Sequence, residues 1–519
     1  MPARNPACAS NSTRIYQEGI EDDKAGRIRS ALAPPLPRKH EREQANIYAR
    51  FSLIARMDYD VLIIGSGPAG QHAAWQAARL GKRAAIIERK PKIGGAGLQT
   101  GTIPSKAMRE VAYLLSRSGG MRQALVPDGR SRHGLLADAV RRKEGVIAQQ
   151  ESVILQRLMR HGVALIPGEA SFVDAYTLQV ADAGSNTRRL TADVIVLACG
   201  SRPRRPADIP FDKKTVLDST SILNLRHLPD SLVVVGGGVI ACEFVSIFAA
   251  LGVHVSVVDS HAQLLTYLSE DVVGVLSDSL LAMGVTFHMQ ERVAEIRREG
   301  NGTVTVLASG KQLRADAVLY AQGREPNSAG LHVANAGIAA QDGWIEVNRH
   351  FQTSAPHIFA VGDLIGRPAL ASTGMEQGRA AVLHAFGAAE QAAADNLPMA
   401  VYTIPEISYV GKTEKEIQQE NIPYFVGNAC FKDSARGQII GDAQGLLKLI
   451  VDARNEKLLG VHIVGEQASE LIHIGQLVMN LHGTVRDLVS NVFNYPTLAE
   501  CYKLAALDCV HQLEQRSVP

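Results

Sequence analysis

One pattern occurs twice in this 519-residue chain and narrows the folds open to it. The apolar run Tyr59-Asp60-Val61-Leu62-Ile63-Ile64 leads into Gly65-x-Gly67-x-x-Gly70. An alanine-rich stretch with helical spacing follows to Leu80, and a second apolar run, Ala84 to Ile87, ends in Glu88. Leu232 to Val235 opens the repeat. It continues through Gly236-x-Gly238-x-x-Ala241, a helical run to Leu251, and Val253 to Val258, which ends in Asp259. In both units the acid follows the first glycine at the same distance. The glycines allow a tight turn and let backbone N–H groups at a helix start approach a pyrophosphate. The closing acid reaches a ribose hydroxyl. A lone glycine fingerprint is a weak signal. Here each one follows a strand, precedes a helix and ends in an acid at the expected distance. Two dinucleotides bound side by side are therefore implied.

Composition excludes other classes. The net charge of +2 gives no field for nucleic acid or an acidic membrane, and the 5% aromatic content disfavours a base-stacking surface. No apolar run is long enough to suggest a membrane span. Cys8, Cys199, Cys242, Cys430, Cys501 and Cys509 form no C-x-x-C pair or zinc-like cluster. Cys199 and Cys242 sit in apolar contexts and read as buried, inert thiols. This usage fits a reducing, cytoplasmic compartment. His473, His482 and His511 lack metal-ligand spacing and read as ordinary surface or core residues.

Residues 1–56 read as a polar extension with no apolar signal core, disordered or the product of a mis-assigned start upstream of Met57. Its acids Glu18, Glu21, Asp22 and Asp23 argue against a mitochondrial transit peptide. After about residue 396 the pattern changes. Val401 to Val410, Gly445 to Val451 and Leu459 to Val464 read as antiparallel strands. Leu471 to Leu481 and Leu498 to Leu513 read as helices.

Several further segments carry a resemblance. Ala198-Cys199-Gly200-Ser201-Arg202-Pro203 is similar to a segment that closes the first half of a flavin domain. Gly323-Arg324-Glu325-Pro326-Asn327 is similar to the exit from a nucleotide domain, and Ile358 to Asp363 to a strand ending in Gly-Asp. Together with Gly101-Thr102-Ile103-Pro104-Ser105-Lys106 and Asn494-Tyr495-Pro496-Thr497-Leu498-Ala499-Glu500, they make the chain resemble the group I pyridine nucleotide-disulfide oxidoreductases from about Tyr59 to Leu513. Within that family the likeness is greatest to the soluble (Si-specific) transhydrogenase branch.

The resemblance implies an α/β fold with two Rossmann-like dinucleotide-binding domains, the NAD domain inserted in a split FAD domain, and an α+β C-terminal dimerisation domain. The implied boundaries are 57–205 for the first part of the FAD domain, 206–325 for the NAD(P) domain, 326–395 for the second FAD part and 396–519 for dimerisation. FAD is expected along Gly65, Gly67, Gly70 and Glu88, with Lys106, Gly200, Asp363 and Ala371. NAD(H) or NADP(H) is expected at Gly236, Gly238, Ala241, Glu243, Asp259 and Gly323. Lys106 and Glu243 match an ion pair near the reactive end of the flavin. A homodimer or higher homo-oligomer is implied, with nicotinamide nucleotides as the small-molecule partners and neither nucleic acid nor membrane.

Two departures from the family pattern decide the expected chemistry. Cysteines of the redox disulfide stand where this chain has Gly97 and Thr102, and a histidine base stands where it has Tyr495, ahead of Glu500. The resemblance therefore implies FAD-dependent hydride transfer between NADPH and NAD+ in ping-pong order, with no disulfide. An NAD(P)H dehydrogenase of the diaphorase type, reducing quinones, and a non-enzymatic flavoprotein are the alternatives. Tyr495 and Glu500 read either as groups filling the substrate mouth across a dimer interface or as an interface tyrosine and a helix cap. Asp259 suits a ribose hydroxyl and repels a 2′-phosphate. No arginine follows it in Ser260-His261-Ala262-Gln263-Leu264-Leu265, so NAD is expected to bind comfortably and NADP less well, with Ser260 and His261 as the groups that could accept the phosphate.

Overall fold

The computed structural model describes residues 57–117, 132–366, 368–388 and 396–516. The 1–56 extension lies outside the described residues.

The first glycine unit forms the middle of a parallel sheet. Tyr59–Ile64 pairs with Ala84–Glu88 on one side and with Thr187–Leu197 on the other. Ala164–Pro167 and Ile358–Ala360 extend the sheet at its two flanks. Val61, Leu62 and Ile63 are fully buried, because helices or loops cover both sheet faces. The long strand Thr187–Leu197 does two jobs. Its second half joins the parallel sheet, while its first half pairs antiparallel with Thr177–Ala181, which in turn pairs with Glu169–Phe172.

The second unit forms its own parallel sheet, in the order Thr286–Met289, His254–Asp259, Ser231–Val235, Ala317–Tyr320, Val216–Leu217. A three-stranded antiparallel sheet, Val293–Glu299, Gly302–Leu307 and Gln312–Ala315, is attached to it. The chain leaves the first body through Ser201–Pro203 and returns through Arg324–Pro326. These two short strands pair antiparallel with each other. The nucleotide body thus hangs on a two-strand neck, and Arg202 and Glu325 form an ion pair across it at 2.6 Å.

The C-terminal body is a five-stranded antiparallel sheet in the order Met399–Val401, Glu406–Gly411, Leu458–Gly465, Leu446–Asp452, Tyr424–Cys430. Helices Ala468–Asn480 and Glu500–Arg516 pack on it around the fully buried Tyr502. The Tyr502 hydroxyl donates to Leu471 O and accepts from Gly475 N–H, which ties the two helices together. The expected single strand Val401 to Val410 is two strands here. The break falls at Tyr402–Pro405, where Pro405 has no N–H to give a sheet ladder. The strand Tyr424–Cys430 has no counterpart in the sequence reading.

One core cluster spans all three bodies. It joins Met108 and Leu136 from the first, Phe244 and Phe248 from the second, and Val401, Ile404 and Ile407 from the third. The cleft described next sits above this shared core. Among the described residues no helix is long and apolar enough to cross a membrane.

Candidate functional site

The N-terminus of helix Pro68–Arg79 opens onto a cleft of about 750 Å³. Gly67 is its N-cap, and no side chain caps the first turn, so its N–H groups remain available to an anion. The loop is tightly constrained. Gly65 has φ +110°, and a Cβ on Gly70 would overlap the Gly65 carbonyl. A Cβ on Gly95 would lie 2.7 Å from the Gly67 Cα. Glycine is required here because backbone meets backbone. Glu88, at the end of the neighbouring strand, turns back onto this loop. Its Oε2 accepts from Ser66 N–H at 3.0 Å and from the Ser66 hydroxyl at 2.6 Å. The Ser66 hydroxyl accepts from Gly94 N–H at 3.0 Å, joining the loop to the segment that carries Gly97.

Asp363 lies in the same cleft, at the first turn of a short 3-10 helix. Its carboxylate accepts from the Ser201 hydroxyl at 2.7 Å, and Arg324 donates to that hydroxyl at 2.7 Å. Gly200 and Ala371 line the cleft as well, the latter opening helix Ala371–Ala385. Asn327, another lining residue, keeps a buried amide oxygen without a donor from the protein. Uncapped N–H groups, a cradle that a Cβ would fill and an unpartnered acceptor together fit a large phosphate-bearing cofactor.

At the far end of the cleft three bodies meet around Lys106. The helix Thr102–Arg117 carries it, and its Nζ donates to Glu243 at 2.8 and 2.7 Å. Glu243 lies on helix Val239–Ala250 of the nucleotide body and is buried. Its Oε1 also accepts from Tyr402 N–H of the C-terminal body at 3.0 Å. The Tyr402 ring lies 4.8 Å from the Lys106 ammonium, within cation–π range. One turn further along the helix, Arg109 pairs with Glu406 at 3.1 Å and donates twice to Thr403 O at 3.2 Å. The short link Tyr402–Glu406 is thus held by two cations of one helix. Burial, then Glu406 and Glu243, raise the Tyr402 hydroxyl above the usual phenol value. The sequence reading missed Tyr402, Arg109 and Glu406. No local motif marked them, although the unbroken apolar pattern assumed over 401–410 already failed at Tyr402-Thr403-Ile404-Pro405.

Gly97 and Thr102 also line the cleft. A Cβ on Gly97 would lie 2.9 Å from the Pro68 ring, so the packing itself resists a larger residue there. Among the described residues every cysteine is free, and Cys199 is the one cysteine lining the cleft. Cys199 keeps some solvent contact, which corrects the expectation of full burial. Its sulfur lies 3.5 Å from Ile64 O, and burial pushes its thiol up to about 12. Cys242 is buried as expected, with its thiol raised by burial. His473 is exposed at the cleft wall.

The second glycine loop repeats the first. Gly236 has φ +120°, Gly238 is the uncapped N-cap of its helix, and Ala241 is buried in the first turn. The opening turns of this helix, through Val239, Ile240 and Glu243, line the same cleft. Asp259 accepts from Gly237 N–H at 2.5 Å, as Glu88 does from Ser66. Gly323 has φ +90° and sits in the neck beside Arg204. Among the described residues no hydrogen bond joins Tyr495 and Glu500. Tyr495 is 73% exposed and makes no side-chain hydrogen bond among the described residues, whereas Glu500 has one buried oxygen with no donor.

Two glycine-loop units joined by a neck, with the helix of the second lining the cleft of the first beside a lysine–glutamate pair, are the architecture of a two-nucleotide flavoprotein; the second glycine loop and Asp259 lie outside the cleft lining. Residues 59–378 match the family model described as pyridine nucleotide-disulphide oxidoreductase, and residues 397–506 match the dimerisation domain of that family. The chain belongs to this family, whose cofactors are FAD and NAD(P)(H), and it carries the family's dimerisation domain. It is 46% identical to the soluble pyridine nucleotide transhydrogenase of Mycobacterium bovis BCG, over 88% of this chain and 98% of the relative. It is 40% identical to that of Pseudomonas entomophila, over 89% of this chain and 100% of the relative. Among solved structures it is similar to LpdA from Mycobacterium tuberculosis, at a TM-score of 0.80 and 29% identity, covering 86% of this chain and 98% of that one. It is also similar to the HOCl-induced flavoprotein disulfide reductase RclA from Escherichia coli, at 0.77 and 28%, covering 86% and 99%.

Proposed function

We propose that this protein is a FAD-dependent transhydrogenase that moves hydride between NADPH and NAD+. The observation that carries the reading is the cleft wall at Gly97 and Thr102. It offers no dithiol through which electrons could leave, and Pro68 is packed where a side chain at residue 97 would begin. FAD, when bound, supplies the two-electron store that holds a hydride equivalent between two nucleotide visits.

The residues supply binding, orientation and charge. Gly65, Gly67, Gly70, Glu88, Gly200, Asp363 and Ala371 would hold the cofactor. Gly236, Gly238, Ala241, Asp259 and Gly323 would hold the nicotinamide nucleotide. Lys106 places a fixed ammonium in the cleft, and Glu243 and Tyr402 keep it there, so negative charge developing at the reacting ring meets a preorganised cation. Donor and acceptor nucleotides share one loop, Gly236–Ala241. NADPH therefore gives up its hydride and departs as NADP+ before NAD+ enters and takes the hydride away.

We further place Tyr495 and Glu500 at the contact with a second copy of the chain in a homodimer. Val492, Tyr495, Leu477 and Leu481 leave large apolar groups exposed on one chain. With no thiol to deprotonate, neither residue needs to act as a base. The free cysteines suit a reducing compartment, the cytoplasm. We also read 206–325 as the inserted body and 396–519 as the dimerisation body, a reading supported by the neck at Ser201–Pro203 and Arg324–Pro326 and by the C-terminal sheet.

Anaerobic stopped-flow tests the reading. NADPH should bleach the flavin absorbance, and thio-NAD+ offered next should restore it as its own reduced band appears. Slow return to the nucleotide with fast quinone reduction would overturn it in favour of a diaphorase.

A further inference from the structure

The second site contains a feature that a simple acid at the end of a strand does not explain. Both oxygens of Asp259 are already engaged. Oδ2 accepts from Gly237 N–H at 2.5 Å, and Oδ1 accepts from His261 N–H at 2.8 Å. The same Oδ1 lies 2.7 Å from His261 Nδ1. A carboxylate can only accept, so Nδ1 carries the proton of this contact. Asp259 is buried, whereas the His261 side chain is 63% exposed. A ribose approaching the end of this strand therefore meets the outer edge of an imidazole, not a bare carboxylate.

We propose that His261 is the residue that lets one site accept both NAD(H) and NADP(H), by changing its own protonation. The proposal rests on the transhydrogenase reading and extends it to nucleotide choice. In the neutral ring Nδ1–H stays on Asp259, and the Nε2 lone pair accepts from the 2′-hydroxyl of NAD. When a proton from solvent adds to Nε2, the ring becomes a cation. Nε2–H then donates to a 2′-phosphate oxygen of NADP, while Asp259 still accepts from Nδ1–H and balances the charge. No lysine or arginine stands between Asp259 and Glu270 to do this instead. In this fold an arginine near the acid is the usual partner of a 2′-phosphate. Histidine is the side chain whose charge changes in the physiological range.

Other cations stand near this edge, but among the described residues His261 is the one hydrogen-bonded to Asp259. The glycine loop behind Asp259 brings no ionisable side chain before Cys242, whose thiol is raised by burial. The turn after Thr286–Met289 packs on the same edge, with Gln290 N–H donating to His261 O and Glu291 N–H to Asp259 O, both at 3.0 Å. That turn contributes Glu291 and the exposed Arg292. On the adjoining strand His288 pairs opposite Val258, with Lys311 at 3.3 Å.

The test is binding of adenosine 2′,5′-bisphosphate and of 5′-AMP to the holoenzyme by calorimetry from pH 6 to 8.5, in buffers of different ionisation enthalpy. The wild type is compared with His261→Gln, which cannot ionise, and His261→Lys, which stays cationic. In the wild type, preference for the bisphosphate should fall with rising pH by up to about tenfold per unit more than in His261→Gln, the limit for one linked proton. The wild type should also take up more protons on binding than His261→Gln, a difference that cancels ionisation of the phosphate itself. His261→Lys should keep the preference at high pH. The same pH profile and proton count in all three proteins would overturn the proposal and leave the transhydrogenase reading standing. Binding of 5′-AMP with no bisphosphate binding at any pH would sink both.

Discussion

In the first glycine loop the closing acid, Glu88, is covered by the hydroxyl of Ser66 and enclosed in the cleft. In the second loop Asp259 is covered by an imidazole that faces solvent. At the third position of the glycine motif a Cβ on Gly70 would overlap the Gly65 carbonyl, where the second loop carries Ala241; at the second position both loops have room, a Cβ on Gly67 lying 3.9 Å from Gly95 Cα and one on Gly238 meeting nothing. The first loop is packed by its own chain at Ser66, Gly94 and Gly95, as the proposed resident cofactor would need. The second presents an exposed imidazole, as the proposed exchanging nucleotide would need. Two copies of one motif are thus surrounded by different side chains.

Removing the group that joins the two sites should have the largest effect. Lys106→Met should slow single-turnover hydride transfer by about 100-fold while FAD remains bound, because it removes the cation at the reacting centre. The buried Glu243 left behind should lower stability by about 3–5 kcal/mol, read by denaturant unfolding. Lys106→Met/Glu243→Leu should recover stability but not rate. Equal recovery of both would mean that the pair is only structural.

Next in size is the contrast between the loops. Gly70→Ala should lose about 1–3 kcal/mol to overpacking and yield protein with a lower flavin-to-protein ratio. Gly238→Ala should keep its melting temperature and flavin but raise KM for both nucleotides, since the added methyl occupies only the space a pyrophosphate needs. Identical behaviour of the two variants would remove the distinction between a resident and an exchanging site.

The smallest effect concerns the missing dithiol. Gly97→Cys/Thr102→Cys should be destabilised by about 1 kcal/mol through contact with Pro68, and Pro68→Ala should relieve it. Thermal melts of the three proteins check this. A double cysteine variant as stable as the parent would show that the loop had room for the thiol.

Much of the first body was legible because the glycine fingerprints combine a period, a turn and an acid within one short stretch. Lys106 and Glu243 could be paired only through the family resemblance, since 137 positions separate them. Val401 to Val410 reads as one apolar run, but Pro405 interrupts the ladder. The strand Tyr424–Cys430 escaped because its burial is set by a distant helix: a Cβ on Gly427 would overlap the Ala505 carbonyl. Arg109, Tyr402 and Glu406 carried no motif at all. Their pairing depends on one helix face of the first body meeting a linker from the third.

Local sequence determined where each glycine loop forms, because turn geometry and helix-start N–H groups depend on near neighbours. It also determined that residues 97 and 102 bring no sulfur. Tertiary structure decided what surrounds each loop. Packing closes Ser66 over Glu88 and leaves His261 open to solvent over Asp259, and it brings Lys106, Glu243 and Tyr402 together from three bodies. The physical reason is range: backbone turns are set by adjacent residues, whereas burial and charge pairing are set by whatever the fold brings near.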